Sequence, residues 1–169
     1  MKKTILILLV FLGVGLSVNA QSNFEVGINA GLPVGNVVEK FTDYTVGFEA
    51  NYYFLYLNNL KVGASAGYLF FKGKNDKTVS YENTQFLPVA ASFRFTIADR
   101  LVLGTDVGYG IGLSPKGNEG GFYIRPSLGY NITSGTTLQA SFYSIDAKDK
   151  TDTSQYEFGS ISLGLVFRL

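Results

Sequence analysis

Seven charged residues are the strongest candidates for chemistry in this chain, because they interrupt segments in which apolar and polar residues alternate. They share the parity of the small and polar residues in those segments: Glu25, Glu49, Lys61, Arg94, Asp106, Arg125 and Arg168. Successive side chains of a β-strand point to opposite faces, so all seven are expected on the face away from the apolar residues. Charges enclosed there must pair, since an unpaired buried charge costs several kcal/mol.

Four of these residues are expected to pair at mid-depth. Counted from the short connections, Arg94 and Asp106 lie close to a diagonal pairing on adjacent strands. Glu49 and Arg125 lie at similar heights on strands far enough apart to meet across a narrow barrel. We therefore predict a structural charge network that closes the interior. A gated pore or proton path and a binding site are the alternative interpretations.

Catalytic chemistry has few of the residues that it needs. The chain contains no histidine and no cysteine, so Ser-His and Cys-His nucleophiles and a histidine general base are absent. Glu49 and Asp106 are a possible acid–base pair, but inward acids beside inward arginines are more often structural. We expect no catalytic residue, no metal site and no cofactor.

The alternation itself occurs in eight segments, which the pattern places at residues 24–32, 43–56, 60–71, 85–97, 101–113, 122–132, 136–145 and 156–169. In the last segment Ile161, Leu163 and Leu165 alternate with small or polar residues. Segments of this length with one apolar and one polar face are typical of transmembrane strands. The sequence therefore predicts an all-β protein, an eight-stranded antiparallel up-and-down transmembrane barrel.

The connections between these segments alternate in length. Residues 57–59, 98–100 and 133–135 are short, whereas 33–42, 72–84, 114–121 and 146–155 are longer and polar. Outer-membrane barrels have short periplasmic turns and long outer loops, so both ends of the barrel chain are expected on the periplasmic side. Pro88 and Pro126 are expected near the outer rim, where a missing backbone N–H is tolerated.

Aromatic residues are expected to form two girdles at the membrane interfaces. The girdle near the short turns would contain Tyr52, Phe54, Tyr56, Phe93, Phe95 and Phe167. The girdle near the long loops would contain Tyr44, Tyr68, Phe70, Tyr109, Phe122 and Phe158.

The first twenty residues have the pattern of a secretory signal peptide. Lys2 and Lys3 precede an apolar stretch, and a small-residue site ends at Ala20. We expect cleavage there, with a single barrel domain at 21–169. Removing both lysines leaves twelve basic against thirteen acidic residues, a balance that gives no argument for nucleic-acid binding.

The chain resembles the small outer-membrane β-barrel domain family, which is related to OmpA/OmpX-type barrels. The resemblance lies in the signal peptide, the segments 85–95 and 123–130 and the alternating last strand. The resemblance implies outer-membrane lipid and lipopolysaccharide as surroundings. It also implies recognition by the barrel-assembly machinery through the last strand. That strand departs from the family pattern because it ends in Leu169, with an aromatic residue at Phe167 instead.

The leading hypothesis is a small protein of the cell outer membrane with a structural or surface-interaction role through its four outer loops. A narrow channel for small solutes is the first alternative. A soluble secreted barrel that binds an apolar ligand inside, in the manner of lipocalins, is the second. The second alternative requires the apolar face to point inward.

Overall fold

The computed structural model describes residues 23–35, 38–75, 81–98, 100–149 and 155–169. The expected signal peptide, residues 1–20, lies outside the described residues. One short helix, α1 (Val38–Phe41), follows the first strand. The strands are β1 (Phe24–Val34), β2 (Thr42–Leu57), β3 (Leu60–Gly73), β4 (Thr84–Ile97), β5 (Leu101–Ser114), β6 (Asn118–Asn131), β7 (Thr136–Asp149) and β8 (Gln155–Arg168).

The eight strands form one closed barrel in which every neighbouring pair is antiparallel and follows chain order. Closure comes from β1 and β8, which pair from Glu25↔Arg168 to Val34↔Gly159. A closed barrel leaves no strand edge unpaired, as a lipid environment requires. The predicted eight-stranded up-and-down barrel is confirmed. In the described part of the chain, no helix is both long enough and apolar enough to cross a bilayer.

The outside of the barrel is apolar along its whole circumference. In β2, for example, Phe48 is 53% exposed while the adjacent Glu49 is 7% exposed, and the two faces alternate from Thr45 to Tyr53. Leu163 of β8 is 58% exposed in the same way. A soluble ligand-binding barrel would need the opposite arrangement, so the lipocalin-like alternative is wrong.

All four outer connections are shorter than predicted, at residues 35–41, 74–83, 115–117 and 150–154, because the strands on either side of them extend further. The third outer connection contains only residues 115–117, because β6 begins at Asn118 instead of residue 122. Gly117 and Gly120 adopt positive φ angles of 98° and 76°, and the Asn118 side chain accepts a hydrogen bond from the Gly120 N–H. These residues build a tight, irregular turn that a loop-length argument does not distinguish from a loop.

The two strand prolines interrupt the backbone pairing without shifting its register. The β3–β4 ladder skips two pairs around Pro88, and the β6–β7 ladder skips two pairs around Pro126. Pro126 lies in the middle of β6, opposite Thr105. The prediction that it lies near the outer rim is wrong, because β6 starts four residues earlier than the alternation indicates.

The interior has two parts of different chemistry. The interior near the short turns and at the centre of the barrel is polar and charged, as predicted. Its outer part is filled by buried apolar side chains, among them Leu69, Phe71, Phe86, Ile145 and Phe158. The prediction of a polar face along the full strand length is therefore wrong at the outer end, and Phe158 points inward, not into the outer girdle.

Candidate functional site: ion pairs and aromatic rings inside the barrel

Arg94 and Asp106 form the first part of the charged site, and register explains their contact. Arg94 lies opposite Gly104 and Asp106 lies opposite Ser92, so the two charged residues are diagonal neighbours on the inward face of β4 and β5. The Arg94 guanidinium donates to both carboxylate oxygens of Asp106, at 2.7 and 3.2 Å. A bidentate pair of this kind fixes the orientation of both groups.

Arg125 joins this pair to Glu49 on the far wall of the barrel. Arg125 lies directly opposite Asp106 on β6, and its Nε donates to Asp106 Oδ2 at 2.7 Å. The same guanidinium forms an ion pair with the Glu49 carboxylate on β2. Arg94, Asp106, Arg125 and Glu49 thus form one continuous set of contacts, called here the ion-pair network.

Neutral side chains complete the hydrogen bonding of the network. Arg125 donates to the Tyr143 hydroxyl at 3.1 Å, and Gln139 donates to Glu49 at 3.2 Å. The Asp106 side chain is fully buried, and those of Arg125, Glu49 and Arg94 are only 1%, 5% and 5% exposed. Two cations and two anions balance, so no net charge is buried.

Two inward glycines leave the space that the network occupies. A Cβ at Gly27 would lie 2.5 Å from Glu49 Oε1, and one at Gly104 would lie 2.7 Å from Arg94 Cδ. Each glycine is the direct cross-strand partner of the charged residue beside it. Close approach of a long side chain to the neighbouring backbone therefore requires glycine at these positions.

The structure brings together all four residues that the sequence singled out, but in a different arrangement. The sequence predicts two separate pairs, whereas Asp106 contacts both arginines and makes the set continuous. The missed contact follows from register, because Asp106 and Arg125 are directly opposite on adjacent strands. This register depends on where the β5–β6 turn lies, and the sequence places that turn with an error of several residues.

The other three inward charges form a separate group at the mouth near the short turns. Glu25 accepts from Lys61 at 3.0 Å and from Arg168 at 3.4 Å. Because Glu25 belongs to β1 and Arg168 to β8, this contact spans the strand pair that closes the barrel. The small cavity here, about 20 Å³, also touches Arg94 and has room for roughly one water molecule.

The aromatic cluster fills the outer part of the interior and consists of Phe41, Phe71, Phe86 and Phe158. Phe158 lies 5.5 Å from Phe71 and 5.1 Å from Phe86 between ring centroids, in edge-to-face geometry. Phe41 of α1 lies 6.3 Å from Phe158. Such contacts are favourable for aromatic quadrupoles and exclude water from the space between the rings.

Sequence reasoning missed this cluster, although a signal for it exists. Near the outer end of several strands, apolar residues occupy both parities, as in Tyr68–Phe71, Phe122–Ile124 and Phe142–Ile145. A strand that is apolar on both faces is buried on both, by lipid outside and by packing inside. An analysis of only one face of each segment overlooks the apolar residues on the inward face.

Helix α1 lies over the aromatic cluster at the outer mouth. Its Val38 is fully buried, and the Glu39 backbone N–H donates to the Gly35 carbonyl. The Lys74 ammonium donates to the Glu39 carbonyl at 2.7 Å, and the Lys74 N–H donates to the Phe41 carbonyl at 2.8 Å. These contacts attach the connection after β1 to the end of β3.

Comparisons with known proteins agree with this architecture. A search of the curated proteins finds no match to this chain. Ail of Yersinia pestis, solved in a phospholipid nanodisc, is 17% identical with a TM-score of 0.54; the alignment covers 86% of this chain and 99% of Ail. Neisserial surface protein A is 14% identical with a TM-score of 0.62, covering 90% of this chain and all of that protein.

Another similar structure is a de novo designed transmembrane β-barrel. It is 12% identical with a TM-score of 0.54, and the alignment covers 89% of this chain and 98% of the design. At these identities the likeness concerns the fold alone. Residues 6–168, nearly the whole chain, match the family described as outer membrane protein beta-barrel domain. The chain belongs to that family, and the protein is a transmembrane β-barrel of the cell outer membrane.

Proposed function

We propose that this protein acts at the cell surface, where its four outer connections bind a partner, while its interior is closed to solutes. The observation that supports the proposal most is the burial of the ion-pair network. Arg125 reaches from β6 to Glu49 on β2, and its side chain is 1% exposed. In an eight-stranded barrel the interior is only wide enough for side chains, so contacts across it leave little free cross-section.

The aromatic cluster supports the same proposal from the outer end. Phe71 and Phe86 are 1% and 0% exposed, so they are sealed from solvent above the charged layer. A solute crossing the barrel would have to part an apolar layer and a charged layer, which favour different solutes. A barrel that does not conduct is the simpler interpretation of these two layers. The outer connections are then the part of the protein that can contact a partner.

Two similar structures have names that fit this role. Ail is the attachment invasion locus protein, and the neisserial protein is a surface protein. An enzymatic role has little support here, because the described carboxylates of the network are both held by guanidinium groups. Neither is placed to take a proton from a substrate.

We also propose how the protein reaches its site. Residues 1–20 serve as a cleaved signal peptide, and the barrel-assembly machinery recognises β8 through its alternating outward residues. Lipid and lipopolysaccharide then surround the apolar outer face. The Glu25–Arg168 contact, between the first and last strands, stabilises the barrel after closure.

The experiment compares cells that express three forms of the protein in one strain. The first is wild type, the second has the outer connections 35–41, 74–83, 115–117 and 150–154 replaced by short Gly-Ser turns, and the third carries Glu25→Gln at the opposite mouth. Heat-modifiable migration on gels checks that each barrel has folded. Attachment to epithelial monolayers should rise with the wild type and with Glu25→Gln, but not with the shortened form. Equal attachment by the shortened form would show that the outer connections are not the interaction surface.

A further inference from the structure

The outer mouth of the barrel contains an apolar cavity that the aromatic cluster does not fill. Its volume is about 200 Å³, and its walls include Phe41, Pro115, Ala147, Tyr156 and Phe158. Thr84 and Asn118 also line it, so the space is largely but not wholly apolar. Enclosed apolar cavities of about 150 Å³ hold molecules of the size of benzene, so this larger space has room for part of an alkyl chain. Tyr156 is 37% exposed at the edge of this space, so an apolar group can enter from outside.

A polar groove adjoins this cavity and shares Pro115 with it. The groove has a volume of about 700 Å³ and contains Lys72, Lys116 and Glu82. Lys72 donates to the Asn83 side chain at 3.3 Å. Within the described part of the chain, neither lysine lies within ion-pairing distance of a carboxylate. Among the lining residues that the structure describes, two ammonium groups stand against one carboxylate, which is a positive balance.

We propose that the outer mouth binds a single-chain anionic amphiphile such as a fatty acid. Its alkyl chain occupies the cavity beside Phe41, Tyr156 and Phe158, and its acid group lies in the groove beside Lys72 and Lys116. The cavity lets the chain bury part of its apolar surface, and the two ammonium groups offer charge-assisted hydrogen bonds to the acid. Glu82, at the groove wall, selects against a second negative charge.

This proposal goes beyond a surface-interaction role and does not rest on it. A cell-attachment function needs only the outer connections as a surface, whereas amphiphile binding needs the cavity and the two lysines. The two proposals therefore fail in different experiments.

Binding is measured with dodecanoate labelled with ¹³C at its carboxyl carbon and protein in phosphatidylcholine nanodiscs. Nanodiscs without protein give the signal of dodecanoate dissolved in lipid, which is subtracted. We expect a saturable protein-dependent signal. Lys72→Gln with Lys116→Gln should weaken binding about tenfold, whereas Lys40→Gln, an exposed lysine outside the groove, should leave it unchanged.

The cavity half of the proposal has its own pair of variants. Tyr156→Ser removes a ring from the cavity and should weaken dodecanoate binding. Tyr44→Ser removes a ring of similar exposure from the lipid-facing side and should not. Gel migration shows whether each variant is folded, and the lysine variants remain informative if the tyrosine variants are not.

Matched ligands decide whether both halves are needed. Dodecyltrimethylammonium and dodecyl maltoside share the chain with dodecanoate, and acetate shares its carboxylate. Dodecanoate should bind more tightly than all three. Any of three results would overturn the proposal. The three dodecyl compounds could bind equally, acetate could bind as tightly as dodecanoate, or the lysine double variant could keep the wild-type affinity.

Discussion

Asp106 is the residue on which the ion-pair network most depends, since it contacts both Arg94 and Arg125 and its side chain is fully buried. Asp106→Asn keeps the shape but leaves two buried guanidinium groups without their shared counter-charge. We expect a loss of about 3–5 kcal/mol in the free energy of unfolding. The measurement is denaturant unfolding in detergent micelles, followed by tyrosine fluorescence and gel migration.

The matched control for this substitution is Asp43→Asn, which makes the same chemical change at an exposed residue of β2. Its effect should stay within about 0.5 kcal/mol, as is usual for surface sites. Similar losses in both variants would mean that the buried contacts of Asp106 contribute nothing specific to stability.

Gly27 gives a second residue-scale prediction, because its missing side chain makes room for Glu49. In Gly27→Ala the new methyl group would lie 2.5 Å from Glu49 Oε1 and would displace the carboxylate from Arg125. We expect a loss of about 1–3 kcal/mol, measured by the same unfolding experiment. Gly135→Ala is the control, since the nearest atom to its Cβ is 4.0 Å away. Equal stability of the two alanine variants would contradict this packing argument.

At the scale of the strands, period-two alternation predicts most of the fold. Seven of the eight strand starts lie within one residue of the expected position, because outward apolar residues mark each strand clearly. The exception is β6, whose first residues, Asn118 to Gly121, lack the apolar alternation on which the prediction depends. Their strand conformation comes from pairing with β5 and β7, which no local pattern encodes.

The outward face of β5 allows a test of its membrane placement. Val107 lies at the middle of this strand and pairs with the outward residues Ala91 and Ile124. Leu113 lies on the same face, near the outer end, and is 51% exposed. Val107→Arg should cost about 2–4 kcal/mol, and Leu113→Arg about 0–1 kcal/mol, because the cost of a lipid-facing arginine depends on depth.

These two arginine variants are compared by the fraction of folded barrel in the outer-membrane fraction, read from heat-modifiable migration. The wild type and Leu113→Arg should assemble to similar extents, while Val107→Arg should accumulate unfolded. If Leu113→Arg assembled no better than Val107→Arg, the bilayer would not be centred on the middle of the strands.

At the scale of the whole molecule, the candidate site depends on contacts between distant parts of the chain. The sequence could indicate that Glu49, Arg94, Asp106 and Arg125 face inward, since parity alone determines that. It could not indicate the shared role of Asp106 or which rings of the aromatic cluster meet. Both depend on which strands face each other across the barrel and on how far each side chain reaches.

The two layers of the interior lead to a prediction about conductance. Under the proposed closure, the wild-type protein should show no steady current in planar bilayers, with the ion-pair network and the aromatic cluster as two successive barriers. Replacing all four network residues, Glu49, Arg94, Asp106 and Arg125, by serine removes two positive and two negative charges and leaves no unpaired charge. This variant should stay closed, since Phe71, Phe86 and Phe158 still fill the outer part.

Adding Phe86→Ser and Phe158→Ser to the four network substitutions should open a water-filled path and give a steady current. The two phenylalanine substitutions alone should leave the barrel closed, because the charged layer remains. Gel migration verifies that each variant is folded before its current is recorded. A steady wild-type current would favour the channel alternative over closure. A steady current in the four-serine variant, which still has both phenylalanines, would show that the aromatic cluster is no barrier. The ion-pair network would then be what closes the barrel.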